Sequence, residues 1–337
     1  MNMFGKDVAV SLVDDAFIFS TQDQPSPLVL PAYAAVQTGT TRTLALGEEA
    51  KAMLGREPDT ISVVKLLTEG MIADDQVARL LFRFGLQKIQ ADGIFTRPRV
   101  VVARRSCELG REPTQRAAMA GGAREVFLIE MGMATAIGMQ LEVVQPEIRA
   151  VLSVSDDWFE FAVTSLGGIL SGVNGAIGSR HFVEDIQNHI TLTRHFRPEF
   201  EALAAQVQSD GVNPHAAAAV PGWETWAGRT EHGRLTEKTV TRDDITVGMM
   251  PSLVKLTERV KAAIRHLPDE KQYQLSRTTI HATGAALAIP GLAQMISEQI
   301  GYPVTPFASA AHPSIDGCKR VLKELSSLSK ALPRRGK

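Results

Sequence analysis

The chain has 337 residues, 44% of them hydrophobic, with a formal net charge of −1. That length predicts two domains of ordinary size with sizeable cores, and the near-neutral charge supplies no global field to draw in nucleic acid. The sequence holds no apolar run of roughly eighteen residues, so no membrane-spanning helix is expected, and Cys107 and Cys318 stand apart, without metal-ligand spacing or a disulfide framework.

The N-terminal Met-Asn-Met-Phe-Gly lacks the charged and apolar regions of a signal peptide, so a reducing cytoplasm is the expected compartment. Asp7–Phe19 reads as strand, tight turn, strand: Val8, Val10 and Leu12 alternate, Phe17 and Phe19 alternate again, and Asp14-Asp15 make the turn. Pro25, Pro27 and Pro31 are expected to end this unit. Gly47–Leu54 suits a short helix. Asp75–Ala91 suits a longer one, with Val77, Leu80, Leu81, Phe84 and Leu86 over a buried face. Arg99–Ala103 is expected as a buried strand and Glu112–Ala120 as a helix. The stretch Ala120–Gly138, AGGAREVFLIEMGMATAIG, then delivers a strand at Glu125–Ile129 from a small-residue turn. A helix at Met133–Gly138 follows, small enough to pack closely against a sheet.

The second half begins as the first does. Ser11, Asp14, Asp15, Phe17 and Phe19 match Ser153, Asp156, Asp157, Phe159 and Phe161 at identical spacing. A repeat at half-chain distance predicts duplicated α/β domains. Chance likeness between two β-hairpins is the competing reading, because Asp-Asp turns are common; the aromatic register at the head of each half favours duplication. Gly167–Gly178 reads as strand and turn, Phe182–Thr193 and Arg197–Gln208 as helices. Ser209–Thr239, with Trp223 and Trp226, reads as a hairpin excursion or a mobile loop. Pro251–His266 is an amphipathic helix with Leu253, Leu256, Val260 and Ile264 near one face. Thr278–Ala282 and Pro303–Phe307 are expected strands, Leu292–Ile300 a helix reached through the turn Gly284-Ala285-Ala286, and Asp316–Leu332 the last helix, before the basic tail Arg334-Arg335-Gly336-Lys337.

Four segments resemble the bacterial cell-shape actins of the MreB family, within the superfamily of actin and the heat-shock chaperone ATPases. Gly47–Asp74 is similar to the family's helix and its P-x-x-x-G-V-I-A-D segment. Ala120–Gly138 follows G-A-x-x-V-F-L-I-E-E-P-M-A-A-A-I-G, Gly178–Ile186 follows G-G-D-x-F-D-E-A-I, and Thr283–Leu292 follows T-G-G-G-A-L-L-x-G-L. The tail Ile315-Asp-Gly-Cys-Lys319 is also similar to the magnetosome-aligning bacterial actin, MamK. The resemblance implies an actin-like α/β fold: two duplicated RNase H-like domains facing across a cleft that holds ATP and magnesium. The implied boundaries are 1–147, with a small subdomain at about 31–75, and 148–315, with one at about 180–245. Residues 316–337 would form a C-terminal helix and tail packing back on the first domain.

The chain departs from the family at the nucleotide positions. The first phosphate loop, D-L-G-T in the family, reads Ser11-Leu12-Val13-Asp14. The second, D-x-G-G-G-T, reads Ser153-Val154-Ser155-Asp156-Asp157-Trp158. The E-E-P motif is Glu130-Met131-Gly132, so the water-positioning glutamate falls on Met131. The triple glycine on the adenosine side is Gly284-Ala285-Ala286, the G-G-D turn is Gly178-Ser179-Arg180, and a helix that offers Glu, Arg and Lys to nucleotide offers Glu201, Ala202 and Ala204. Ser11 and Ser153 carry no charge with which to hold a magnesium water shell. Val13, Ser155, Asp156 and Asp157 add side chains where glycine would let backbone N–H groups cradle phosphate, and Trp158 adds bulk. Asp14, Asp156 and Asp157 would also face a polyanion; one such contact near 4 Å costs about 4 kcal/mol at an effective dielectric of about 20, against the roughly 8 kcal/mol behind a micromolar affinity.

The expectation is therefore an MreB-like cytoskeletal protein without an ATPase cycle: a filament subunit, or a partner of another bacterial actin, in cell shape or organelle positioning. No catalytic residue and no cofactor are expected, and no nucleic-acid partner. ATP and magnesium belong to an alternative reading, an active ATP-driven filament protein; a third is a non-polymerising adaptor that uses the fold as a binding platform. Ile94-Phe95, at the tip of a Gly/Pro-marked loop, stands where the resembling family dips an apolar pair into the inner membrane, and Arg97 and Arg99 would meet anionic headgroups. That places the protein on the cytoplasmic side, peripheral on the inner membrane. Asp14, Asp15, Asp156 and Asp157 are candidate ligands for a divalent ion that would replace the nucleotide.

Overall fold

The computed structural model describes residues 6–40, 42–89, 97–106, 108–211, 223–230, 234–307 and 312–324. Contacts divide the chain into two compact units, one of Met1–Arg149, Thr164–Ile169 and Ala310–Lys337, the other of Ala150–Val163 and Leu170–Ser309.

The first unit starts with β1 (Val8–Val13), β2 (Ala16–Thr21) and β3 (Leu28–Pro31). β1 and β2 pair antiparallel, with Val10 opposite Phe19 and Leu12 opposite Phe17, so the alternating apolar residues share one face of the hairpin. Proline does not end the unit: Leu28–Pro31 pairs with β2, and Pro31 is tolerated because the strand forms the sheet edge. A small sheet in the order β5-β4-β6 follows, from β4 (Tyr33–Gln37), β5 (Thr43–Leu46) and β6 (Ile61–Lys65), with α1 (Glu48–Met53) against it. A two-stranded ribbon, β7 (Leu67–Thr68) and β8 (Met71–Ile72), leads to α2 (Asp75–Lys88). The Asp74 carboxylate caps α2, accepting from the Gln76 and Val77 amides. Phe82 of α2 meets Phe17 edge-on at 5.2 Å and Phe19 at 6.0 Å. Gly85 lets the Phe19 ring lie against the helix, since a Cβ there would overlap it.

Next come β9 (Arg99–Arg104), α3 (Arg111–Ala120), β10 (Glu125–Glu130) and α4 (Met131–Gly138). β9 pairs parallel with β1 and with β10, giving the sheet order β10-β9-β1-β2-β3.

The second unit repeats that order. β11 (Arg149–Val154), β12 (Phe159–Ser165) and β13 (Gly168–Gly175) form one side of a sheet whose order is β13-β12-β11-β17-β18. Between them and the far strands run α5 (Ser179–Arg194), β14 (Phe196–Pro198), α6 (Phe200–Asp210), β15 (Trp223–Thr230), β16 (Leu235–Thr241), α7 (Arg242–Gly248), α8 (Met250–Arg265) and α9 (Asp269–Ser276). β17 (Ile280–Thr283), α10 (Leu292–Ile300) and β18 (Val304–Pro306) complete the unit, with β17 parallel to both β11 and β18. In each sheet, three strands consecutive in the chain lie side by side, and the first of them takes a parallel neighbour reached through helices. The half-chain repeat is therefore a repeat of topology.

One expectation needs correction here. Arg197 lies in a strand, not in a helix: β14 pairs with β15, and the helix starts only at Phe200, because Pro198 cannot donate into a helix interior. Of the two expectations for the excursion after Ser209, the hairpin holds over the described residues: Trp223–Thr230 and Leu235–Thr241 pair antiparallel, with Trp223 opposite Thr241.

The chain then returns to the first unit as α11 (Pro313–Lys323), which starts earlier than the expected Asp316 because Pro313 takes the first turn, where its missing N–H costs nothing. Expected helical residues from Leu325 on lie outside the described residues. α11 packs on α4 and β1. A Cβ on Gly138 would overlap the Pro313 carbonyl oxygen, and one on Gly317 the Ala134 carbonyl oxygen. The small residues of α4 thus serve a helix crossing at backbone contact, rather than only the sheet expected from sequence.

Candidate functional site

The first candidate turn lies in the first unit. Ser11 sits inside β1, opposite Ile18 on one neighbour and Ala103 on the other. Its Oγ is 2.7 Å from Ser314 Oγ of α11 and 3.7 Å from Met131 Sδ, at the first residue of α4. Ser11 is 0% exposed, Met131 2% and Ser314 4%. Each hydroxyl has one proton, so the arrangement that satisfies all three has Ser314 donating to Ser11, and Ser11 donating to the thioether sulfur. The two positions where the resembling family carries acids, 11 and 131, are therefore brought together, and they form a neutral, water-excluded cluster. Such a cluster offers no negative charge to a magnesium water shell and no base to a water molecule.

The turn that follows keeps its acids but engages them locally. Asp14 takes a left-handed conformation, φ 53°, which Asp tolerates better than most residues. The Asp15 carboxylate meets Lys51 Nζ of α1 at 3.2 Å, and its carbonyl accepts from the Ala32 amide. Val13 is half-buried at the end of β1.

The second turn has the same register. The Ser155 amide donates to the Trp158 carbonyl at 2.9 Å, the same offset that pairs Val13 with Ala16, so Asp156-Asp157 occupy the place of Asp14-Asp15. The start of α5 clamps it. The Ser179 and Arg180 amides donate at 3.0 Å to the carbonyls of Ser155 and Asp156, Ser179 Oγ donates to the Asp156 carboxylate, and Arg180 Nε meets Asp157 Oδ1 at 3.3 Å. The N-terminal amides of a helix are a natural anion site; here two of them hold the loop's own carbonyls. Gly178 makes this approach possible, since a Cβ there would overlap the Ser155 and Asp156 carbonyl oxygens. Ser153 and Trp158 are both buried, and neither Ser153 Oγ nor Trp158 Nε1 has a hydrogen-bond partner among the described residues.

The third degenerate motif adjoins β11. Gly284, at φ 108°, lies so close to Val154 that a Cβ would overlap its carbonyl oxygen, and Ala285-Ala286 enter a short 3-10 turn with Ala286 fully buried. Glu201 and Ala202 are exposed on α6, and Ala204 is half-buried.

The four aspartates divide between the units, Asp14 and Asp15 in one and Asp156 and Asp157 in the other. Among the described residues of either unit, no group of three or more His, Cys, Asp and Glu is placed to hold a metal ion. Ile94 and Phe95 lie outside the described residues. Of the two arginines expected to face headgroups, Arg97 is exposed, but Arg99 is paired with the Asp7 carboxylate, and that hydrogen bond holds its pKa above the usual guanidinium value. Ser314 was invisible to motif reasoning: it belongs to no pattern, and only the return of α11 to the first unit sets it against Ser11.

A family model described as MreB/Mbl protein matches residues 6–330. Among curated relatives, the cell shape-determining protein Mbl of Bacillus cereus is 22% identical over 97% of this chain and 99% of its own length. The cell shape-determining protein MreB of Escherichia coli is 26% identical over 90% of this chain and 89% of its own. Among solved structures, MreB5 of Spiroplasma citri bound to ADP superposes with a TM-score of 0.81 at 20% identity, covering 96% of each chain. A MamK double helical filament gives 0.73 at 14% identity, covering 95% of this chain and 98% of that one. These likenesses establish the actin-like fold.

Proposed function

The chain belongs to the MreB/Mbl family, and on that premise we propose that it is a cell-shape actin homologue that has lost its own nucleotide cycle, working as a membrane-associated filament subunit or as the partner of another bacterial actin. One observation carries the reading. Ser11 and Met131 stand where the family resemblance places a metal-organising acid and a water-positioning acid, and they are packed on each other and on Ser314, neutral and buried. The engagement of Asp157 by Arg180, and of the second loop's carbonyls by α5, supports the same reading, because phosphate would need those groups released.

Self-association is supported by the kinship with the MamK filament. Cell shape, rather than organelle positioning, is favoured by the names of the relatives, Mbl and MreB. The inner membrane is proposed on Ile94 and Phe95, by their place in the sequence alone. The alternative of an ATP-driven filament draws on the MreB5 chains solved with ADP and with AMPPNP.

Purified protein decides between them. A ligand that binds only the native state must raise its melting temperature. We expect no shift with millimolar ATP and magnesium and no hydrolysis above background; a dose-dependent shift would overturn the proposal. Electron microscopy of the protein alone, and mixed with a cognate bacterial actin, separates subunit from partner.

A further inference from the structure

The two five-stranded sheets have four edge strands, and three of them carry devices that discourage further pairing. β3 ends in Pro31 and β18 in Pro306, each without an N–H to donate, and β10 has a glutamate at either end. The fourth, β13, has eight residues, Gly168–Gly175, with neither a proline nor a charge among them. Its one strand neighbour among the described residues is β12.

Strand periodicity sorts the groups of β13. Ser171 faces α8, donating through Oγ to the Ala263 carbonyl at 2.7 Å. The side chains at Leu170 and Gly172 therefore belong to the opposite face, where Leu170 is 47% exposed and Gly172 is exposed too. The backbone alternates in the same way. The Asn174 carbonyl accepts from Arg259 Nη1 at 3.2 Å, which puts it on the free edge, and the N–H and C=O of Gly172 and Leu170 share that side. The flank of α8 beside this edge is basic. Lys255, Arg259 and His266 are exposed and, one and two turns apart, lie along one side of the helix. Arg259 rests against the end of β13, since a Cβ on Gly175 would overlap its Nη1. Glu258, an exposed acid of α8, is turned to the other flank, where it pairs with Lys261 at 2.8 Å.

We propose that the free edge of β13 and the basic flank of α8 form a docking site for an extended acidic segment of a partner protein, which adds a sixth strand to the sheet. Main-chain hydrogen bonds to Leu170 and Gly172 supply affinity, and the alternation of the incoming strand supplies specificity. Its apolar residues meet Leu170 on one face, while the acids between them meet Lys255, Arg259 and His266 on the other. Charge selects this occupant over a second copy of the chain. Two β13 edges paired about a two-fold axis would set two basic α8 flanks against each other, and like-charge juxtaposition disfavours a partner. Docking needs no nucleotide, so its failure would leave the reading of Ser11 and Met131 untouched.

The full chain can be titrated by fluorescence anisotropy with a labelled peptide alternating Glu and Val, and with its Lys-Val counterpart. Wild type should bind the acidic peptide saturably, and more weakly as salt is raised, and should not bind the basic one. Gly172→Pro removes an outward N–H that pairing with β12 does not use, a change an edge strand tolerates. Binding should then fall about tenfold at an unchanged melting temperature. Lys255→Glu with His266→Glu should lose the acidic peptide and gain the basic one. No saturable binding by wild type, equal binding by Gly172→Pro, or equal binding of the two peptides overturns the proposal. So does a wild-type dimer that Gly172→Pro abolishes, because it puts a second copy on the edge. Should Gly172→Pro melt early, the charge-reversed variant decides: an unchanged preference for the acidic peptide overturns the proposal.

Discussion

Returning the family's acid to position 11 should destabilise this protein rather than repair it. In Ser11→Asp a carboxylate would sit at a site that is 0% exposed, with the Ser314 hydroxyl as one donor and a thioether, which donates nothing, as its other neighbour. Desolvation with so little compensation raises a carboxyl pKa. If the folded value lies about 2–3 units above the ordinary 3.9, the charged form loses about 3–4 kcal/mol at neutral pH, at 1.36 kcal/mol per unit. The sign follows from linkage. A group whose folded pKa is raised contributes its relative stability below the unfolded value and loses it as pH climbs through the folded one. The deficit against wild type should therefore be small near pH 4 and full at pH 7. For a protein of this size that corresponds to a melting temperature lowered by about 5 °C at pH 7. Ser11→Ala is the control: it removes the hydrogen bond from Ser314 and the weak one to Met131, together worth about 1–2 kcal/mol, with no pH dependence. Thermal melts of wild type and both variants at pH 4.5 and 7, with and without magnesium ATP, supply the measurement. If Ser11→Asp melts like wild type at pH 7, or gains a nucleotide-dependent shift, the position is not the closed, neutral site described above.

Three further outcomes are expected. Ile94→Ser with Phe95→Ser should abolish co-sedimentation with anionic liposomes while leaving the melting temperature unchanged; a collapse in stability would mean that the pair packs in the protein instead. Calcium or magnesium against chelator should move the melting temperature of wild type no more than that of Asp156→Asn with Asp157→Asn, because Asp157 is already paired with Arg180 and Asp156 with Ser179; a selective rise in wild type would support the divalent-ion reading of the four aspartates instead. Burial pushes the Cys318 thiol up to about 12. At pH 8 its thiolate fraction is then about one in ten thousand, so in a Cys107→Ser background a thiol reagent should modify the protein only as fast as it unfolds; prompt labelling would contradict the packing of α11 on β1.

What the sequence made legible was whatever local alternation fixes. The two aromatic hairpins were readable because a one-residue slip would turn Phe17 and Phe19, or Phe159 and Phe161, out of the core, and the common register of the two turns follows from that. The helix expected across Arg197 failed because its apolar pattern runs on through Pro198, while the backbone chemistry of proline does not. Ser314 and Arg180 were beyond reach for a different reason. Ser11 lies at the other end of the chain from Ser314, and Asp157 is separated from Arg180 by two strands, so no local spacing marks either pairing. The sequence could show that acids were missing or added; only the fold shows what now touches the remaining groups.

On the proposed reading the two halves lost the same feature in different ways. In the first unit charge was removed, and the vacated positions closed on one another through Ser11, Met131 and Ser314. In the second unit Ser153 likewise stands in place of an acid, but Asp156 and Asp157 stand where the family has glycines, and both are tied down by the first turn of α5. A duplicated site altered by chance at one position would leave its counterpart poised for the original ligand. Here each turn carries a local solution that works without any ligand: a satisfied neutral cluster in one, and an ion pair with helix amides in the other. On the proposed reading a single reversion therefore cannot restore nucleotide binding. Asp at position 11 would meet a cluster built to exclude charge, and Asp at 153 would add a third carboxylate close to two already balanced by one arginine and one hydroxyl. The second substitution should be the less damaging of the two, because Ser153 Oγ has no hydrogen-bond partner to lose among the described residues. If Ser153→Asp destabilises more than Ser11→Asp at pH 7, then the two turns do not differ in the way their hydrogen bonds indicate.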